Sequence, residues 1–176
     1  MEQKDLFDKF LERFEPASFP LTLAYDVTSM ESFSSEPLPA VLVDLFISDD
    51  ENFEPRSVEG DFNEYAPVFK YELNEKYHAC IIWKAGLGVY EYFLTIYDLE
   101  GNIIESDAIA GTYFDPKEPN HKLEYQVCEF TTADKAIIIK GILTSQEEAF
   151  DPTNSQKYLL EISDIGEFKY TIIPSI

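Results

Sequence analysis

Residues 89–105 read Val89-Tyr90-Glu91-Tyr92-Phe93-Leu94-Thr95-Ile96-Tyr97-Asp98-Leu99-Glu100-Gly101-Asn102-Ile103-Ile104-Glu105. Aromatic and β-branched side chains dominate both flanks, the composition that fits a pleated, half-buried surface. Between them, Asp98-Leu99-Glu100-Gly101-Asn102 is a hairpin turn with glycine where a positive φ is needed. The stretch is therefore strand, turn, strand.

The same unit repeats outward from it. Strands are expected at 67–73, 77–83, 89–97, 103–110, 122–130, 136–143, 157–163 and 167–173, with turn signals between nearly all of them. Ser163-Asp164-Ile165-Gly166 is another turn, and Lys84-Ala85-Gly86-Leu87-Gly88 supplies two permissive glycines. Short connections favour sequential neighbours, so the simplest topology is an antiparallel meander. Alternation is cleanest at the end: Tyr158, Leu160 and Ile162 oppose Lys157 and Glu161, and Phe168, Tyr170 and Ile172 oppose Glu167, Lys169 and Thr171. Ile81-Ile82-Trp83 and Ile137-Ile138-Ile139 are apolar on both faces. The fold class is mainly β, an N-terminal amphipathic helix followed by a meander shaped as a sandwich, a barrel or a strongly curved sheet.

Upstream, Leu6, Phe7, Phe10, Leu11 and Phe14 share one face of a helix over 4–14. Pro16 ends it, because the residue before a proline is pushed out of helical geometry. Its polar face is too acidic for a membrane-surface helix, so it is expected to pack on the sheet. Residues 16–66 read as irregular, with one strand at 21–27. Residues 40–47 read as a buried strand or a short helix, which periodicity cannot separate at this length. Residues 48–66 read as a long surface loop, with Asp49, Asp50, Glu51, Glu54, Glu59, Asp61 and Glu64 against a single Arg56. The whole, 1–176, is expected to be one domain.

Composition narrows the function. The chain has 176 residues and 34 acidic against 13 basic side chains, a net charge of −21. With 14 Phe, 11 Tyr and one Trp it is too aromatic to be disordered. Nucleic acid and anionic membranes are excluded as partners, since both need a concentrated basic footprint. No apolar run in the first thirty residues resembles a secretory signal, and none is long enough to span a membrane, so the cytoplasm is the expected address. Cys80 and Cys128 lie in strand-like runs and read as reduced core thiols.

No catalytic, metal or cofactor constellation emerges. His78 sits in an apolar run. His121 stands near Asp115 and Glu118, but no second histidine is spaced to complete a metal site. Gly86-Leu87-Gly88 is a lone GxG between strands rather than a phosphate cradle. There is no G-x-S-x-G elbow, and Asp49-Asp50-Glu51-Asn52 lacks the spacing and glycine of a calcium loop. Tyr113-Phe114-Asp115-Pro116 is echoed by Ala149-Phe150-Asp151-Pro152, read as two turn starts of the same type rather than a repeat.

The expectation is a non-enzymatic binding protein without cofactor, monomer or homodimer. Its acidic surface, centred on Asp49, Asp50, Glu51, Glu54, Glu59, Asp61 and Glu64, would meet a basic protein partner. An immunity protein that blocks a basic nuclease is of this physical type. The alternative is a small-ligand or peptide binder with an aromatic-lined pocket built from strand tyrosines such as Tyr90 and Tyr92, together with Trp83.

Overall fold

The computed structural model describes residues 3–24, 36–47, 64–86, 88–114, 123–143 and 155–174. Two helices and ten strands follow one another as α1 (Gln3–Leu11), β1 (Glu15–Pro16), β2 (Leu21–Leu23), α2 (Ala40–Phe46), β3 (Glu64–Asn74), β4 (Tyr77–Gly86), β5 (Val89–Asp98), β6 (Ile103–Phe114), β7 (Leu123–Thr132), β8 (Lys135–Leu143), β9 (Gln156–Ile162) and β10 (Phe168–Ile173).

All eight expected strands are present, and β3 to β10 pair antiparallel in chain order, so the meander holds. The sheet does not close into a barrel. It folds over on itself instead. β6 and β7 share rungs only from Gly111↔Gln126 to Phe114↔Leu123. Beyond those rungs β7 pairs with β2, through Leu23↔Cys128, Thr22↔Glu129 and Leu21↔Phe130. At the other margin β1 adds a short parallel pairing to β3. The segment 15–23 thus clasps both halves.

One core lies between the folded halves. Tyr71, Ala79, Ile81, Leu94, Ile96 and Ile109 pack with Cys128, Phe130, Ile138, Leu160 and Ile162. Phe19 lies edge-on to Tyr71, with ring centroids 5.0 Å apart, and Phe130 is 6.0 Å from Phe19.

A second core lies between the helices and the outer face of β4 and β5. Phe7, Phe10 and Leu11 of α1 are buried there with Cys80, Ile82 and Tyr97, and Phe14 joins them from beyond the helix. The helix expected over 4–14 stops at Leu11, where the Arg13 and Phe14 amides turn back to the Phe10 and Leu11 carbonyls. Residues 40–46 are helical. Leu42 and Phe46, one turn apart, both go inward, and the Phe46 ring lies 5.4 Å from Phe7 and 5.1 Å from Phe10. Val41 and Leu45 stay exposed, so the helix has no polar face to announce it. Two polar contacts anchor the helix ends: Tyr97 Oη donates to the Phe46 carbonyl at 2.7 Å, and Lys70 Nζ donates to the Leu11 carbonyl at 2.6 Å. The tyrosine supplies a partner to a carbonyl of the last helical turn. The lysine adds to the Phe14 amide already on the Leu11 carbonyl and opposes the negative end of the helix dipole.

Two loop assignments need correction. Glu64, Tyr65 and Ala66 are not the end of a loop. They open β3, paired with Ala85, Lys84 and Trp83. Gly111–Phe114 likewise belongs to β6, where rungs on both sides use its backbone groups. In each case long-range pairing extends a strand past the point where local composition turns polar or glycine-rich.

Candidate functional site

Asp49, Asp50, Glu51, Glu54, Glu59 and Asp61 lie outside the described residues, as do His121, Asp115, Glu118 and the 149–152 echo. Of the expected partner-binding carboxylates only Glu64 is described. It is exposed at the first position of β3.

The described structure places another group of acidic residues together. In an antiparallel meander, alternate connections fall at the same end. The turns β3–β4, β5–β6, β7–β8 and β9–β10 therefore share one end of the molecule. Contacts between them bear this out. Asn74 Nδ2 donates to the Asp164 carbonyl at 3.1 Å, and the Ile162 amide donates to the Asp134 carbonyl at 2.8 Å. The β9–β10 turn packs on β5 and β6. A Cβ placed on Gly166 would stand 2.9 Å from Ile96 Cγ2 and 3.2 Å from Ile104 Cγ2.

These turns and the strand ends that close them carry Glu75, Asp98, Glu100, Asp134, Asp164 and Glu167 against Lys76 and Lys135. Between the carboxylates stand exposed apolar side chains: Leu99 at 49 %, Ile104 at 39 % and Ile165 at 57 %. An apolar centre with a charged rim is the anatomy of a protein-docking surface, and here the rim is mainly acidic.

The local chemistry keeps that sign. The Asp98 carboxylate is the hub of its turn. Oδ1 accepts from the amides of Glu100 (2.8 Å) and Asn102 (2.9 Å), and Oδ2 accepts from Asn102 Nδ2 (2.8 Å). Burial alone would raise its pKa. Hydrogen bonds from the Asn102 side chain and from the turn's amides outweigh that and hold it below the ordinary carboxylate value. The ligand-rich look of Asp98-x-Glu100-Gly101-Asn102 is thus satisfied by the turn itself. Among the described residues, no group of three or more His, Cys, Asp or Glu could hold a metal ion.

A second polar feature crosses the sheet. Tyr65, Lys84, Glu91, Gly111, Gln126, Lys140 and Gln156 are successive register partners from β3 to β9. Lys84, Glu91 and Gln126 are buried. Gln126 Oε1 is buried without a hydrogen-bond partner, and the Lys140 ammonium lies over the rings of Tyr158 (5.6 Å) and Tyr170 (5.9 Å). Glycine is required within the row, because a Cβ on Gly111 would meet the Tyr90 carbonyl and the Glu91 Cα.

The aromatic side chains mostly fill the cores. Tyr71, Tyr92, Tyr97 and Tyr125 are buried, and Trp83 packs on Tyr92 with ring centroids 4.7 Å apart while Tyr90 remains exposed beside it. A small void of about 10 Å³ lies among Phe46, Ile47, Tyr65, Ile82, Phe93, Thr95, Ile103 and Ser106. A broader open groove of about 590 Å³ runs between α1 and α2, past Leu6, Lys9, Arg13 and Val41. Cys80 and Cys128 are free and buried in different cores, and burial pushes both thiols up. His78 is half-buried, edge-on to Phe7 at 6.1 Å. No described helix is long and apolar enough to cross a membrane.

No family model, curated protein or solved structure matches the chain.

Proposed function

We propose that this chain is a non-enzymatic binding protein whose acidic end receives a basic protein partner. The observation that carries the reading is the convergence of four turns, with six carboxylates to two amines, around exposed Leu99, Ile104 and Ile165. The carboxylates steer a basic surface into contact, and the apolar centre gives the complex its burial. The net charge of −21 extends the same attraction over the whole molecule. A protein that neutralises a basic nuclease by covering it would need these properties and no catalytic group. The two free thiols fit a reducing setting such as the cytoplasm.

The aromatic-pocket alternative draws less support among the described residues, because Tyr71, Tyr92, Tyr97 and Tyr125 are spent on packing and the void beside Phe93 holds about one water.

The test is titration with a panel of basic nucleases at low and physiological salt. The wild-type chain is expected to bind at least one with an affinity that falls as salt rises. Joint replacement of exposed Glu100, Asp164 and Glu167 by lysine should slow association about tenfold or more while leaving the fold intact. Binding that ignores both salt and the triple replacement would overturn the reading.

A further inference from the structure

We propose that the outer edge of β10 pairs with β10 of a second copy of this chain, antiparallel, with the two-fold axis at Thr171. β10 is the last strand of the sheet, and among the described residues no strand pairs with its outer side. Ile172 is 60 % exposed, and Tyr170 keeps 37 % of its surface exposed although its hydroxyl is held by Asp107. An edge strand that shows both unpaired backbone groups and apolar side chains is a template for another strand.

The hydrogen-bonding phase of the strand selects the register. The Ser163 amide donates to the Glu167 carbonyl at 2.9 Å, so Glu167, Lys169 and Thr171 direct their backbone groups toward β9. Phe168, Tyr170 and Ile172 direct theirs outward. The outward amide of Phe168 is already taken, donating to Glu105 Oε2 at 3.1 Å. Tyr170 and Ile172 remain. A strand centred on Thr171 lets the outward groups of Tyr170 bond those of Ile172 in the other copy, twice by symmetry. The side chains agree. Tyr170 faces Ile172, an aromatic opposite a β-branched residue, and Thr171 faces Thr171. Lys169 faces Ile173, so no like charges stand opposite one another.

Charge explains why a second copy is the occupant. Residues 168–174 contain no acidic side chain and one lysine, in a chain with 34 acidic residues. The strand itself brings no carboxylate to such a contact, and the two that approach it from β6, Glu105 and Asp107, are held by the Phe168 amide and the Tyr170 hydroxyl. The remaining charge still repels at longer range, so this association strengthens as salt rises. That is the opposite of the salt response expected for a basic partner at the acidic end, and the two interactions are separable by that sign.

The experiment combines sedimentation with a directed crosslink, both on the full chain. Wild-type protein should show a concentration-dependent dimer, weak at low salt and about tenfold tighter at high salt. I172P removes an outward amide and is compatible with an edge strand, so it should return the chain to a monomer with unchanged circular dichroism. T171C should give a disulfide-linked dimer in air, because residues facing each other at a non-hydrogen-bonded site stand about 4.5 Å apart at Cα. K169C, which faces Ile173, should not, and native Cys80 and Cys128 are too buried to interfere. A wild-type chain that stays monomeric at high salt and a T171C chain that stays uncrosslinked would overturn the proposal. So would a dimer that persists in I172P.

Discussion

The Tyr170 hydroxyl donates to Oδ2 of Asp107 at 2.6 Å, joining the last strand of the sheet to a strand in its middle. With the Phe168–Glu105 bond it laces the seam where the folded sheet fails to close. Burial pushes the phenol well above its ordinary pKa, and the nearby Asp107 charge adds to that, so the hydroxyl stays a donor through the neutral range. Tyr170→Phe should cost about 1 kcal/mol in urea denaturation at low protein concentration. Asp107→Asn in the Tyr170→Phe background should add little, because the partner is already gone. Full additivity of the two would show that the bond contributes nothing.

Gly101 supports the helices from below. Its φ is +89°, and a Cβ there would stand 2.8 Å from two carbons of the Phe7 ring and 3.0 Å from Phe46 Cε1. Gly101→Ala is therefore expected to cost about 2–4 kcal/mol, part backbone strain and part overpacking. In a Phe7→Ala background the packing part disappears, and the alanine should cost only about 1–2 kcal/mol. An equal penalty in both backgrounds would show that the ring is not what the Cβ strikes.

Tyr97 ends α2. Its hydroxyl is buried on the Phe46 carbonyl, and burial drives its pKa far upward. Tyr97→Phe leaves that carbonyl without its partner and should cost about 1–3 kcal/mol. Hydrogen exchange should accelerate first in residues 40–46. Loss spread evenly over the sheet would count against a local role.

Asp98 makes a pH-dependent contribution whose sign is fixed by the direction of its shift. Its folded pKa is depressed, so the stabilisation is present above the unfolded value of about 3.9 and is lost as pH falls through the lower folded value. Asp98→Ala should cost about 1 kcal/mol near neutral pH, with the difference from wild type closing in acid. Comparing the two chains at each pH cancels the large change in net charge that both undergo. A difference that stays constant into strong acid would rule out the charged form as the acceptor.

The strands were legible because each is a local event. Tyr90–Tyr97, the turn at Asp98–Asn102 and the strand after it all declare themselves within a few residues. α1 was legible for the same reason, since Phe7, Phe10 and Leu11 fall on one face, although its end at Leu11 was not. β2, Leu21–Leu23, falls within the strand expected at 21–27. β1 was not legible, because a two-residue strand exists only through a distant partner, here Glu15↔Phe69. α2 has Asp44 as its one charged residue, beside exposed Val41 and Leu45, and becomes helical because Leu42 and Phe46 find Phe7 and Phe10. The acidic end was within reach. Asp98–Asn102 and Ser163–Gly166 both read as turns, and the parity of a meander puts alternate turns together. The densest acidic run, at 48–66, is a different part of the chain. The layering itself needed the break between β6 and β7, which no short window of sequence contains.

The clasp formed by residues 15–23 has a consequence for the order of events in synthesis. β2 leaves the ribosome early, yet its partner is Phe130–Cys128 in β7. β1 likewise waits for Phe69 and Lys70. Leu21 and Leu23 must stay unpaired until most of the sheet has been made. Closing so long a loop is entropically slow, and the exposed segment is a liability while it lasts. The first strands of the chain are therefore among the last to be seated, and the fold is locked from its N-terminus only after its middle exists.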